Sequence, residues 1–235
     1  MRIRIALFVV AVLVLVAGCS SDDGGEADTT SAPEIAGSPV PLANGDFETG
    51  DFTSWTVDSW GKGDWFIYED GTTPPDPSVS DPASPFDVPE PPQGQYAAVT
   101  DMDYSGVHFL YRDIEIAGSW TLHAVVFYEN TAGSFYVQED FGRFDGDAWF
   151  ANVRNQQYRI DIIDPTAPIE SLEADDVLAT VFRTQLEDPL SLGPTPIWLD
   201  LSQWEGQTVR LRIAEIDNGG ALRAGVDDVR LMSSD

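Results

Sequence analysis

The chain has 235 residues, with twelve Lys or Arg against forty Asp or Glu, a formal net charge of −28 and seven tryptophans. A surface this acidic repels nucleic acid and anionic lipid headgroups, so neither is expected as a partner. The single cysteine excludes an intrachain disulfide, which leaves packing, and any bound cation, to stabilise the fold.

In chain order, Arg2 and Arg4 precede an uncharged run from Ile5 to Val16, closed by Ala17-Gly18-Cys19. A basic start, an apolar middle and small residues at the end are the parts of a secretory signal. The apolar run falls short of the roughly 20 residues that a spanning helix needs. Around Leu15-Val16-Ala17-Gly18-Cys19 it resembles a bacterial lipoprotein signal. That resemblance implies removal of residues 1–18, lipidation of Cys19 and an extracytoplasmic protein anchored to the bacterial cell membrane. Processing would leave ten basic side chains (twelve less Arg2 and Arg4) against forty acidic ones. Residues 19–39, rich in Ser, Asp, Gly, Glu, Thr and Pro, read as a flexible tether. Residues 40–235 suit one domain of ordinary size.

Within that domain the pattern is strands. Trp65 to Tyr68, Tyr96 to Val99, Val107 to Ile114, Trp120 to Tyr128 and Tyr158 to Ile163 are rich in aromatic and β-branched residues. Val177 to Thr184, Ile197 to Leu201, Val209 to Ile216 and Val226 to Leu231 follow the same pattern. Turn residues separate them, and no long apolar 3.6-residue period calls for a helix beyond a short turn at Leu201 to Glu205. The expected class is all-β, a two-sheet sandwich with long Pro-rich loops at 70–94, 164–175 and 187–196. Asp217-Asn218-Gly219-Gly220, between two clear strands, predicts a hairpin. Asp145-Gly146-Asp147 reads as a tight turn, since it lacks the spaced acids of a calcium loop.

The folded region opens with Asn44-Gly45-Asp46-Phe47-Glu48, with Trp55 following, and closes with Val226-Asp227-Asp228-Val229. This pairing resembles the galactose-binding-like jelly rolls of carbohydrate-binding modules, and MAM-type adhesion domains share much of it. Gly94-Gln95-Tyr96-Ala97-Ala98-Val99 and Leu199-Asp200-Leu201-Ser202 through Val209-Arg210-Leu211 extend the likeness. The resemblance implies an antiparallel jelly roll whose first and last strands lie side by side, with a structural calcium where they meet. Carried over by motif, Glu48 and Asp227 would give carboxylates, and Asp46 and Gln95 main-chain oxygens. Calcium takes six to eight oxygens of these kinds. Gln93 stands where some relatives place an acidic ligand. The alternative is that Asp46 and Glu48 cap turns while Asp227 accepts main-chain amides.

Alternation along strands assigns a ligand face. Asn155, Gln157, Arg159 and Asp161 share one side, opposite Tyr158, Ile160 and Ile162. Arg210 and Arg212 lie opposite Val209, Leu211 and Ile213. If the two strands are neighbours, Asn155, Gln157, Arg159 and Arg212 would line a groove suited to sugar hydroxyls, with Trp65, Trp60 or Trp149 to stack on a pyranose. The competing reading is an ordinary solvated sheet face. There is no G-x-S-x-G elbow, and the two histidines give no metal pair. A catalytic role is not expected, and His123 belongs to the apolar Trp120 to Tyr128 strand. The function expected is carbohydrate binding by a calcium-stabilised, surface-tethered jelly roll. The alternative is a protein-interaction or adhesion module of MAM type that docks on a cell-surface protein.

Overall fold

A computed structural model describes residues 37–69, 90–100, 105–137 and 154–234. Contacts divide the chain into two units, Met1–Glu34 and Ile35–Asp235. The first unit, with the expected signal, Cys19 and most of the expected tether, lies outside the described residues, as do most of the 70–94 loop, Asp145 to Asp147 and Trp149.

The described strands are β1 (Ser38–Val40), β2 (Thr56–Gly61), β3 (Trp65–Glu69), β4 (Tyr96–Thr100), β5 (Gly106–Glu115) and β6 (Trp120–Asn130). They continue with β7 (Gln156–Ile163), β8 (Val177–Arg183), β9 (Ser191–Asp200), β10 (Thr208–Asp217) and β11 (Leu222–Ser233). One sheet has the order β3-β4-β11-β6-β9, with β1 also on β11; the other has the order β2-β5-β10-β7-β8. Every pairing between these strands is antiparallel. Taking β4 to β11 alone, the order 4-11-6-9 faces 5-10-7-8, which is the double Greek key of a jelly roll. All nine strands expected from composition form. β1 and β2 were not anticipated, being short and polar, and β1 begins inside the segment read as tether.

One expectation fails. Asp217 to Gly220 does not close a hairpin, because β10 and β11 belong to different sheets. The turn chemistry serves a crossing between layers instead. Asn218 Oδ1 accepts the Asn155 amide, Gly219 donates to Gln156 Oε1, and Gln156 Nε2 donates to the Gly220 carbonyl. The 187–196 loop also shrinks, since β9 starts at Ser191 and runs through Pro194 and Pro196. Only an edge strand tolerates two residues without N–H donors, and β9 is at the edge.

The sheets enclose one core. Tyr158, Ile160 and Ile162 from β7 meet Val209, Leu211 and Ile213 from β10, as alternation required, and Leu122, Ala124, Val126 and Val226 come from the opposite sheet. Tyr158 spans both layers, its hydroxyl donating to the Gly225 carbonyl at 3.0 Å. On the outside of the first sheet, Tyr68, Ala97, Val99 and Phe127 form a second buried cluster. There Gly225 lies opposite Phe127 in the β11–β6 register. A Cβ on Gly225 would fall 2.0 Å from the Phe127 ring. Gly225→Ala should therefore cost about 1–3 kcal/mol by overpacking. The measurement is the thermal midpoint by circular dichroism, and trimming the ring with Phe127→Leu in the same chain should recover part of the loss.

Candidate functional site

Three places carry polar chemistry, and the N-terminal loop builds the first. Phe47 is fully buried and stacks on Trp55, with ring centroids 5.5 Å apart. Trp55 Nε1 donates to the Asn44 carbonyl, and the Asn44 amide donates to the Asp51 and Thr53 carbonyls. Plugging Phe47 into the core turns Asp46 and Glu48 outward on either side of it. Phe47 pays for this with φ of 56°, a left-handed conformation rare for a bulky residue.

β1 and β4 lie end to end along one side of β11, pairing Val40 with Leu231 and Ala98 with Val226. Between them β11 bulges at Asp227 to Arg230, with Asp228 at φ of 48°, and the Val229 amide donates to the Gly45 carbonyl. At this seam Glu48 Oε1 accepts the amides of Gln95 and Tyr96 at 2.8 and 2.9 Å. Asp227 Oδ2 accepts the Gln93 amide at 2.7 Å, and its Oδ1 the Asp228 amide at 2.6 Å. Asp46 Oδ1 accepts the Glu48 amide in a local turn. Gly94 cannot carry a side chain, since its φ is +65° and a Cβ would run into the Glu48 carboxylate.

The structure thus gathers Asp46, Glu48, Gln95 and Asp227 at one seam, but Gln95 turns its N–H toward Glu48. The present bonds are those of capped turns and amide-solvated carboxylates. Burial pushes Asp227 up to about 7; the Asp228 and Gln93 amides oppose this, while the charges of Asp228 and Glu48 add to it. Among the described residues no three His, Cys, Asp or Glu side chains form a metal cluster, so a cation here would need main-chain oxygens too. The donor set fits calcium in kind. Both carboxylates keep acceptor capacity, Glu48 Oε2 taking no hydrogen bond among the described residues.

The second place is the expected ligand face. β7 and β10 are neighbours, and Asn155, Gln157, Arg159 and Arg212 do share one side of the second sheet. They do not line an open groove, because all four are buried. The 164–176 segment folds over Arg212, packing Ile169 and Leu172 on the Val107, Phe109, Ala214 and Ile216 cluster. Arg212 Nη1 donates to the Ile169 and Ser171 carbonyls at 2.7 Å each. Asp161 accepts from Arg159 through both oxygens and from Arg212 Nη2, all at 2.7 Å. Burial alone would raise the Asp161 carboxyl, but the Arg212 and Arg159 guanidiniums outweigh it and hold it below 3.8. Gln157 Nε2 donates to Asn155 Oδ1. Trp65 lies elsewhere: with Ile67 it faces the core of the first sheet and is 3% exposed, so it offers no stacking surface. Trp60 is part-buried, edge-on to Phe109, with Nε1 on Asp58.

The third place was not singled out from sequence. Trp198 on β9 is 54% exposed. Registers align it with His123 on β6, and His123 with Arg230 on β11, so the three cross the outer face of the first sheet in one row. His123 is buried, its Nδ1 lying 3.2 Å from the Asp228 carbonyl and 3.4 Å from Asp228 Oδ2. Arg230 Nη1 stands 3.4 Å from that same carboxylate oxygen and is half-exposed. The available signal was period two: with Ile197 and Leu199 facing inward, Trp198 must face out.

No family model and no curated protein matches this chain. Solved structures similar to it include carbohydrate-binding modules and cleaved adhesin domains. TmCBM61, solved in complex with β-1,4-galactotriose, aligns with TM-score 0.49 at 15% identity, over 82% of this chain and 97% of that one. A cleaved adhesin domain of Lys-gingipain from Porphyromonas gingivalis gives 0.45 at 8% identity, over 81% and 96%. The CBM22-1 xylan-binding domain from Paenibacillus barcinonensis gives 0.40 at 11% identity, over 84% and 97%. At these scores, function rests on the chain's own residues.

Asp161→Asn would leave two buried guanidiniums without their anion, and a loss of about 3–5 kcal/mol is expected in urea unfolding at pH 7. Because the folded carboxyl is depressed, its contribution in the parent chain is present above pH 3.8 and fades as pH falls through the lower folded value. The gap between parent and variant should therefore narrow only in strong acid.

Proposed function

We propose that this chain is a non-catalytic carbohydrate-binding jelly roll, held outside the cytoplasm by a lipid on Cys19 and steadied by calcium at the β1–β11 seam. The observation that carries the sugar reading is Trp198, a half-exposed indole on the outer face of the first sheet, in one register row with the Arg230 guanidinium, which pairs with the Asp228 carboxylate. An apolar ring face with planar polar groups at its margin is what a pyranose needs, stacking through its C–H face and bonding through its hydroxyls. On the second sheet the 164–176 segment covers Arg212, and the part-buried Tyr111 is already taken by Arg210, itself paired with Asp113.

The test is a glycan panel probed with the detergent-solubilised full chain in calcium. Binding to one sugar class, reduced at least ~tenfold by Trp198→Ala with the fold intact, is expected; no binding to any glycan would sink the reading. A protein partner is the second reading. The exposed Leu186 and Leu190 beside the start of β9 favour it, and an affinity unaffected by Trp198→Ala but lost in a Leu186→Ser, Leu190→Ser pair would establish it.

Calcium has its own measurement. The seam gathers acids whose mutual repulsion a cation would relieve. Calcium at ten to a hundred times its Kd should stabilise the fold by about 1.4–2.7 kcal/mol, seen as a rise in thermal midpoint over EDTA. Asp227→Ala should abolish that rise; an equal rise in the variant would move the ion elsewhere.

A further inference from the structure

The row across the first sheet also carries information about the charge of its ligand. Arg230 is the one cationic side chain in the Trp198–His123–Arg230 row, and Asp228 already faces it at 3.4 Å. His123 brings no charge at neutral pH: burial keeps its pKa below the ordinary value, against the pull of the Asp228 carbonyl and carboxylate, while Arg230 opposes protonation. The exposed Asp200 sits two residues along β9 on the same face as Trp198. Among the described residues of this face, a carboxylate or sulfate would meet one guanidinium already paired with Asp228, and the carboxylates of Asp228 and Asp200.

The geometry suits hydroxyls better. Strands in a sheet stand about 4.8 Å apart, so Trp198 and Arg230, two strands removed, are ~10 Å apart at the backbone. A sugar unit stacked on the indole would direct its edge or its neighbour toward Arg230 and Asp228. At 3.4 Å those two are in contact but not in a tight bidentate pair. The guanidinium keeps donors to offer and the carboxylate keeps acceptor lone pairs, a matched set for two adjacent hydroxyls. The β11 bulge makes this possible. It turns Asp228 through a left-handed conformation while returning Arg230 to register with His123.

We propose that Trp198, Arg230 and Asp228 form one subsite for an uncharged hexopyranose unit, with the indole taking its apolar face and the Arg230–Asp228 pair reading two neighbouring hydroxyls. The proposal rests on the carbohydrate reading above and narrows it to neutral glycans.

The test uses the full chain in detergent and two probe sets: hexose trisaccharides, and the same trisaccharides oxidised at C6 to uronic acids. A neutral trisaccharide should bind, with its oxidised counterpart at least ~tenfold weaker at low ionic strength, where screening is least. Affinity for the neutral probe should change little between about 20 and about 500 mM NaCl. Trp198→Ala should abolish binding, and Arg230→Gln and Asp228→Asn should each weaken it by ~tenfold or more, a charged hydrogen-bonding group being lost in each. Asn tolerates the left-handed backbone, and unchanged thermal midpoints would show all three variants folded. Oxidised probes binding as well as neutral ones, or neutral binding that survives Trp198→Ala, would overturn the subsite and leave the carbohydrate reading standing. Failure of both probe sets, and of the wider panel, would remove both.

Discussion

The acidic seam and the tryptophan row both depend on β11, which has to satisfy two flanks at once. On one side it pairs with β6 over nearly its whole length; on the other it is shared between β4 and β1, laid end to end. The bulge at Asp227 to Arg230 falls where the strand passes the gap between β4 and β1. The N-terminal loop fills the gap, bonded through the Gly45 carbonyl to the Val229 amide. The bulge buries the Asp227 carboxylate at the seam and aims Asp228 at the neighbouring face. The acidic seam and the tryptophan row are thus two outcomes of one backbone irregularity.

The two outer faces solve the same problem in opposite ways. A sandwich must do something with the sides of its sheets that face away from the core. Here the second sheet folds its own chain over part of that side, trapping two guanidiniums around one carboxylate. Such a cluster is costly to assemble and costlier to break, because each member depends on the others for its charge balance. It fixes the 164–176 segment in place through the Ile169 and Ser171 carbonyls. The first sheet instead leaves part of its outer side open around Trp198.

Strand identity was legible from composition because aromatic and β-branched runs mark strands whatever sheet they join. Facing was legible too: the alternation in β7 and β10 placed Arg159 and Arg212 on one side of adjacent strands. Exposure was not, since a strand's period says which side a residue takes but not whether a distant loop will cover it. Burial of Arg212 depends on residues some forty positions away. The Asp217 to Gly220 segment misled for a related reason, as a tight turn between two strands looks alike whether it closes a hairpin or carries the chain to the other layer. Trp198 stayed hidden because large aromatics are buried more often than not, and only the inward packing of Ile197 and Leu199 forces it out.

The attachment of β1 has a mechanical side. Any tension delivered from residues before Ser38 reaches the domain through three ladder positions, Ser38 to Val40 against Leu231 to Ser233. So short a ladder gives way early, and the next resistance is the Asn44–Phe47–Trp55 plug together with the grip of Glu48 on the Gln95 and Tyr96 amides. A cation at that seam would tie the plug to Asp227 in the middle of the sheet. Calcium would then govern how much pull the domain withstands before it unravels from its first strand.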